Sequence, residues 1–341
     1  MTVLQFDEQA IRDALDRVVQ RTFQMDFDWD WPGGVAFYGV AEAYEATGQE
    51  EYMNQLKEWV DEQLEDGLPR LTVNAVSIGH TLLSLYQATG DNVYKDHAVQ
   101  MAEFLKHDAV RFADGVFQHT VNSEAYNFPQ QAWVDTLFMA GYFLVRIGHL
   151  LGREDYLEDG ILQYHGHERF LQNPVTNLYC HGWDHVSQTN MSGIFWGRGN
   201  AWAAITMARA LRMIHVTHPS FMVIDGSLRD QLSALVRLQG EDGLWKTVLT
   251  NPESYSEVSA SAGIAAALLS KGKLYNKAIN RATAGILSSI SPDGSVQNVS
   301  AGTAVMQNAA GYMGVPRQRI QGWGQGLTLV FLASLLNHRE V

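Results

Sequence analysis

Cysteine is nearly absent from this chain. Cys180 stands alone, which excludes an intrachain disulfide and a thiolate-based structural zinc site and fits a reduced, intracellular setting. Basic residues are also scarce: 24 Lys and Arg face 37 Asp and Glu, a formal net charge of −13, so neither nucleic acid nor an anionic membrane is an expected partner. A small anionic ligand stays open, because salt screens a diffuse field within about 10 Å and one desolvated arginine outweighs it locally. No segment approaches the roughly 18 consecutive apolar residues of a membrane span. The opening residues, Met1 to Glu8, lack the basic and apolar regions of a signal peptide, and a cytoplasmic location is expected. With only 8 prolines and no low-complexity linker, residues 1–341 are expected to form a single domain. Missing as well are a phosphate loop with its lysine, a Gly-x-Ser-x-Gly elbow and a dinucleotide fingerprint behind a strand, so no cofactor is expected.

Helical patterns of two kinds are present in quantity, and they alternate. Residues 7–23 place Ile11, Leu15, Val18 and Val19 on one stripe, as an amphipathic helix does. Trp29-Asp30-Trp31-Pro32-Gly33-Gly34 then opens a stretch, 35–44, that is apolar or small almost all round and stops at Thr47-Gly48. Such a helix is buried on most sides. The pairing recurs as 76–86 with 93–105, 132–150 with 155–171, 203–211 with 222–238, and 258–269 with 275–290, before Gly322-Trp323-Gly324-Gln325-Gly326 opens a sixth buried helix, 327–336. The phrases Tyr44-Glu45-Ala46-Thr47-Gly48 and Tyr86-Gln87-Ala88-Thr89-Gly90 make the repeat visible. With the first helix as outer partner of the last, the pattern predicts an all-α (α/α)6 toroid of six inner and six outer helices; an open α-solenoid is the alternative. Strand patterns are confined to short candidates such as 115–119. Closure would bring the N-terminal ends of the inner helices to one mouth.

Chemistry-bearing residues cluster at those helix entrances: Trp31 beside Asp30, Asn74, Asp135 beside Trp133, Arg198 beside Trp196 and Trp202, Glu257, and Trp323 beside Gln325. Indole faces next to hydrogen-bonding groups suit a sugar, whose ring faces are apolar and whose rim is hydroxyl. Asp135 is placed one turn inside an apolar helix, where burial should raise its pKa and keep a proton for general-acid work; an aspartate satisfied by helix amides is the structural alternative. Arg198, at a helix N-terminus flanked by Gly197 and Gly199, is apt for an anion. His181 and His185 have metal-ligand spacing but sit in a loop pattern with no third ligand, so no metal is expected and hydrogen bonding to substrate is the better reading. His119 is a further lining candidate.

The entrance Trp31 to Gly39, the segment Trp133-Val134-Asp135-Thr136-Leu137-Phe138-Met139, the loop Tyr179-Cys180-His181-Gly182-Trp183-Asp184, the run Trp196-Gly197-Arg198-Gly199-Asn200-Ala201-Trp202 and the late Gly322-Trp323-Gly324-Gln325-Gly326 resemble the unsaturated rhamnogalacturonyl hydrolases, glycoside hydrolase family 105. They are similar, more distantly, to the unsaturated glucuronyl hydrolases of family 88. The resemblance implies an (α/α)6 barrel acting on the 4,5-unsaturated uronyl sugar left by polysaccharide lyases. It implies that Asp135 protonates C4 while water adds at C5, that His181 and Arg198 hold polar groups of the uronate, that Trp196 and Trp202 shape its site, and that His119 lines it. The family commonly carries a second acid near the start of the second inner helix, where this chain has Asn74-Ala75-Val76-Ser77-Ile78-Gly79; Asn74 or Ser77 holds that place. The expected partner is a small anionic oligosaccharide, and the expected state a monomer or small homo-oligomer. A glycosaminoglycan disaccharide hydrolase, an epimerase using His181 and His119, and a sugar-binding protein are the alternatives. Tyr126, Asn127 and Arg319 are candidates for the leaving-sugar site.

Overall fold

Helices alternate between an outer and an inner ring in the computed structural model, which describes residues 3–123 and 128–338. In chain order they are α1 (Glu8–Phe23), α2 (Trp31–Thr47), α3 (Glu50–Glu65), α4 (Gly79–Thr89), α5 (Asn92–His107), α6 (Phe143–Leu151) and α7 (Glu154–Leu171). After these come α8 (Gly197–Ala210), α9 (Phe221–Arg237), α10 (Val258–Leu269), α11 (Asn276–Ser288), a short α12 (Ala309–Met313) and α13 (Gly322–Leu336). The inner ring is α2, α4, α6 with the turn 137–142 that leads into it, α8, α10 and α13, each packed on the next, with α13 returning to α2. The other long helices, α1, α3, α5, α7, α9 and α11, lie outside. This is the (α/α)6 toroid that the alternating pattern predicts.

Composition explains which helix goes where. Every residue of α10 is buried, because its Val, Ser, Ala, Gly, Ile and Leu side chains are apolar or small on all sides and none carries a charge. In α1 only the stripe Ile11, Ala14, Leu15, Val18, Val19 and Thr22 is buried. The ring closes at α2 against α13, where a Cβ on Gly39 would lie 2.5 Å from the Gly326 carbonyl oxygen and one on Gly326 would meet the Val35 carbonyl. Glycine at both positions lets the two backbones touch. At the far ends, α2, α4 and α6 stop on left-handed glycines, Gly48, Gly90 and Gly152, with φ of 68°, 73° and 65°.

Two inner helices depart from the sequence reading at their entrances. The second begins as a 3-10 turn, Ala75–Ile78, before α4. The expected helix over 132–150 is the larger correction. Besides the small hairpin of β1 (Arg111–Phe112) and β2 (Val116–Phe117), the chain forms β3 (Gln131–Trp133) paired with β4 (Gly182–Asp184), followed by a π-helical turn, Leu137–Tyr142, leading into α6. The pairing of Ala132 with Trp183 and of Trp133 with Gly182 draws the backbone out of the helix. Tyr126 and Asn127 lie outside the described residues, and Arg319 is exposed. Among the described residues no helix is long and apolar enough to cross a membrane.

Candidate active site

The entrances of the inner helices meet at a cleft with about 670 Å³ of free space, part of it open to solvent. Trp31 borders it from the start of α2, Asn74 from the turn ahead of α4, and Trp196, Arg198 and Trp202 from the start of α8. Asp135 and Met139 enter from the chain that leads into the third inner helix, and Gly302, Thr303 and Ala304 form the wall before α13.

Asp135 occupies the turn between β3 and the π-helical turn, not the interior of a helix. Its carbonyl accepts from the Phe138 and Met139 amides, each at 3.0 Å, so the backbone opens the helix while the carboxylate is left toward the cleft. Beyond the β3–β4 ladder, the Val134 amide donates to the His181 carbonyl at 3.0 Å, which brings His181 beside Asp135. His181 Nε2 lies 3.3 Å from Asp135 Oδ2, with the imidazole fully enclosed and 15 % of the aspartate side chain exposed. His181, expected to hold polar groups of the uronate, is not among the residues that border the cleft and sits behind Asp135. Its ring stacks on Trp196 at 4.1 Å between centroids, and Nδ1 lies 2.8 Å from the Tyr312 hydroxyl.

The expected upward shift of Asp135 is also reversed. Burial pushes its pKa up, but the His181 contact, the nearby His119 and the Arg198 guanidinium together outweigh burial and hold it below the usual carboxylate value. His181 itself is held down by burial, with Asp135 pulling the other way.

Arg198 is committed to the protein. One guanidinium nitrogen, Nη1, is 3.2 Å from Glu257 Oε1, 2.7 Å from Ser300 Oγ and 3.0 Å from the Ser300 carbonyl; Nη2 donates to the Ala301 carbonyl at 2.9 Å and to Thr303 Oγ1 at 3.0 Å. The cation lies over Trp196 and Trp323, 4.5 and 5.2 Å from the ring centroids. Glu257, fully buried, accepts from the Ser300 and Ala260 amides at 2.9 and 2.6 Å. Arg198 thus fastens the wall formed by residues 300–303 while also bordering the cleft, where it is expected to hold polar groups of the uronate. Trp323 Nε1 donates to the Ser300 carbonyl at 3.0 Å and its ring backs Trp31, stacked at 4.5 Å, so Trp323 supports the cleft from behind.

His119 borders the cleft with its ring stacked on Trp133, 4.3 Å between centroids and 9° between planes. Burial holds it down to about 4, so it is neutral near pH 7. His185 packs instead on Phe112 and Phe170. Asn74 borders the cleft, whereas Ser77 does not and lies against Gly34. Among the described cleft residues, three carry enclosed polar atoms without a hydrogen-bond partner: Asn74 Oδ1, Trp196 Nε1 and Trp202 Nε1. Enclosed groups of this kind are costly unless a ligand or water completes them. Sequence reasoning missed Thr303, Met139 and Tyr312. No pattern marks Gly302-Thr303-Ala304, and Tyr312 lies in α12, which stands outside the repeat.

Comparison with known proteins agrees with this geometry. A model of Glycosyl Hydrolase Family 88 matches residues 5–338. The chain is 65% identical over 340 residues to the unsaturated rhamnogalacturonyl hydrolase YesR of Bacillus subtilis, covering 100% of this chain and 99% of that protein. It is 25% identical over 296 residues to an unsaturated 3S-rhamnoglycuronyl hydrolase of Formosa agariphila, covering 80% and 77%. A solved structure described as a possible member of the GH105 family from Salmonella enterica superposes with a TM-score of 0.92 at 26% identity, covering 99% of this chain and 96% of that one. A helical toroid with its polar cleft at the helix entrances, matched over nearly its whole length, belongs to glycosyl hydrolase family 88 and is a glycoside hydrolase.

Proposed function

We propose that this enzyme removes the 4,5-unsaturated uronyl residue from lyase-derived oligosaccharides, with unsaturated galacturonyl-rhamnose as the preferred substrate. The observation that carries the reading is that, among the described residues, Asp135 is the one carboxylate that borders the cleft. Direct displacement at an anomeric carbon calls on two carboxyl groups that flank the bond, about 5 to 9.5 Å apart. Hydration of a vinyl ether needs one. Asp135 gives its proton to C4, water forms a bond to C5, and the proton released by that water returns to Asp135. The C5 hemiketal opens by breaking the bond to the ring oxygen, and the hemiacetal left at C1 expels the neighbouring sugar.

Asp135 has to be protonated when the double bond arrives, although its protein neighbours hold its pKa below the usual carboxylate value. A uronate supplies the remedy, because its own carboxylate beside Asp135 raises the aspartate's pKa as it binds and displaces water. Asn74, Trp196 and Trp202 offer their unpartnered polar atoms to the sugar's rim, and His119 and Trp31 line it. Identity to the Bacillus subtilis enzyme supports the rhamnogalacturonyl preference. We also read residues 1–341 as one catalytic unit acting in the cytoplasm as a monomer or small homo-oligomer, on the support of a family match over 5–338 and a single thiol.

The test is loss of the ultraviolet absorbance of the C4=C5 bond with unsaturated galacturonyl-rhamnose and with an unsaturated chondroitin disaccharide. Loss with the first, slower loss with the second and none after Asp135→Asn is the expected result. Absorbance that persists with both sugars in the parent protein would overturn the proposal.

A further inference from the structure

Tyr312 is the one residue of α12 that is fully buried, and its hydroxyl is 2.8 Å from His181 Nδ1. Stacking on Trp196 keeps the imidazole from turning, so each ring nitrogen has a fixed neighbour: Nδ1 meets Tyr312, and Nε2 meets Asp135 Oδ2 at 3.3 Å. Neither Nε2 nor Oδ2 is otherwise partnered. A gap of that length between catalytic groups is common before substrate arrives and closes in the complex. Burial pushes the Tyr312 hydroxyl up, opposed first by the Ser192 side chain and then by the Met306 amide. A phenol that keeps its proton in this way has a hydrogen to give to Nδ1, its neighbour at 2.8 Å.

We propose that Tyr312 is a positioning residue for the Asp135 acid: its hydroxyl donates to His181 Nδ1, keeps the imidazole hydrogen on Nε2, and thereby leaves the acidic proton on the Asp135 oxygen that faces the substrate. This rests on the reading of Asp135 as the acid. The two tautomers of His181 have opposite consequences. With the hydrogen on Nε2, Oδ2 accepts it, and a protonated Asp135 carries its proton on Oδ1. With the hydrogen on Nδ1, the Nε2 lone pair would draw the acidic proton onto Oδ2, away from the cleft. The charged and titratable groups facing the pair are few. Asp135 meets His181, His119 and Arg198; His181 meets Asp135, Arg198 and Tyr312; Tyr312 has Asp135 and Cys180 within electrostatic reach. His119 is neutral near pH 7, and Arg198 is fixed by Glu257, so the tautomer of His181 is the variable left to set.

The test is Tyr312→Phe, read in two ways. Kinetics with unsaturated galacturonyl-rhamnose should show kcat down about tenfold with KM within about twofold. The alkaline limb of kcat should move to higher pH, because a carboxylate that loses its Nε2–H donor holds its proton longer. Nitrogen-15 spectra of histidine-labelled protein, with the His181 signals assigned by their loss in His181→Gln, should show the Nε2–H tautomer in the parent and a change of tautomer in Tyr312→Phe. An unchanged limb and tautomer in the variant, or an Nδ1–H tautomer in the parent, would overturn the proposal. A purely structural role would lower kcat or stability without moving either readout. Should the parent leave the sugar untouched, the acid assignment fails separately, and the spectra still decide the tautomer. If Tyr312→Phe does not fold, the parent spectrum decides alone.

Discussion

The two mouths of the toroid make opposite use of polar residues. At the rear, where the inner helices end, the cavity has about 1690 Å³ of free space against about 670 Å³ at the front, and it is bordered by Glu42, Glu45, Arg209, Arg212, Asp225 and Lys271. Its buried charges are answered by the protein. Arg209 meets Glu42 at 2.7 Å, Lys271 pairs with Asp225, and the neighbouring Arg146 donates to the His80 carbonyl at 3.0 Å and to Ser84 Oγ at 3.1 Å. Cations at helix C-termini also complement the dipoles. At the front, by contrast, enclosed atoms of Asn74, Trp196 and Trp202 have no hydrogen-bond partner. Between the two lies a layer in which Tyr38 and Tyr142 meet at 3.3 Å and His80 Nε2 lies 3.0 Å from the Phe138 carbonyl. Cavity size does not mark the site: the smaller cleft is the one that sets a carboxylate among indole faces.

The largest contrast between the mouths should come from Asp135→Asn, which removes the front's acid and is expected to lower kcat by about a thousandfold or more with the fold intact. Turnover retained by that variant would break the comparison. Next, Arg198→Met leaves the enclosed Glu257 without its cation and should cost about 3–5 kcal/mol in denaturant unfolding, because an uncompensated buried carboxylate remains. The matching change at the rear, Arg209→Met, strands a Glu42 side chain that is 10% exposed; it should cost less, about 2 kcal/mol, and leave kcat/KM within about twofold. Loss of turnover in Arg209→Met at unchanged stability would make the rear cavity functional. A smaller effect is expected from Asn74→Ala: one lost substrate hydrogen bond, about 1 kcal/mol or roughly fivefold in KM.

The pH dependence sharpens the same contrast. Burial holds His119 and His167 down to about 4 from the ordinary 6.5. Across that window the unfolded chain binds protons that the folded chain refuses, so the melting temperature should fall as pH drops from about 6.5 to about 4. The depressed Asp135 acts in the same direction below that, since its stabilising contacts are lost as the carboxylate is protonated. In kinetics, the alkaline limb of kcat/KM, which reports the free enzyme, should begin at lower pH than that of kcat, which reports the complex with a uronate beside Asp135.

The architecture was legible because burial leaves a compositional trace. Helices that read as apolar all round, such as α10 and α13, are inner, and those with a stripe, such as α1, are outer. The entrances were less legible. Nothing in Gln131-Ala132-Trp133 shows that it pairs with Gly182-Trp183-Asp184 in preference to starting a helix, because three residues are too few for a period-2 pattern. That pairing decides the position of both Asp135 and His181. The sequence also shows an arginine beside glycines, but not that Glu257 and the carbonyls of residues 300 and 301, far along the chain, are partners of its fork. Partners contributed by distant loops leave no local signal. They determine whether a polar residue contacts the ligand or braces a residue that does.

The most direct test of the account is turnover of unsaturated galacturonyl-rhamnose in deuterium oxide, followed at early times by proton NMR. If Asp135 delivers the proton to C4, deuterium should enter one face of C4 as the rhamnose is released, and Asp135→Asn should do neither. Release of a uronate that still carries its C4=C5 bond, or deuterium spread over both faces of C4 from the first turnover, would contradict hydration by a fixed acid in this cleft.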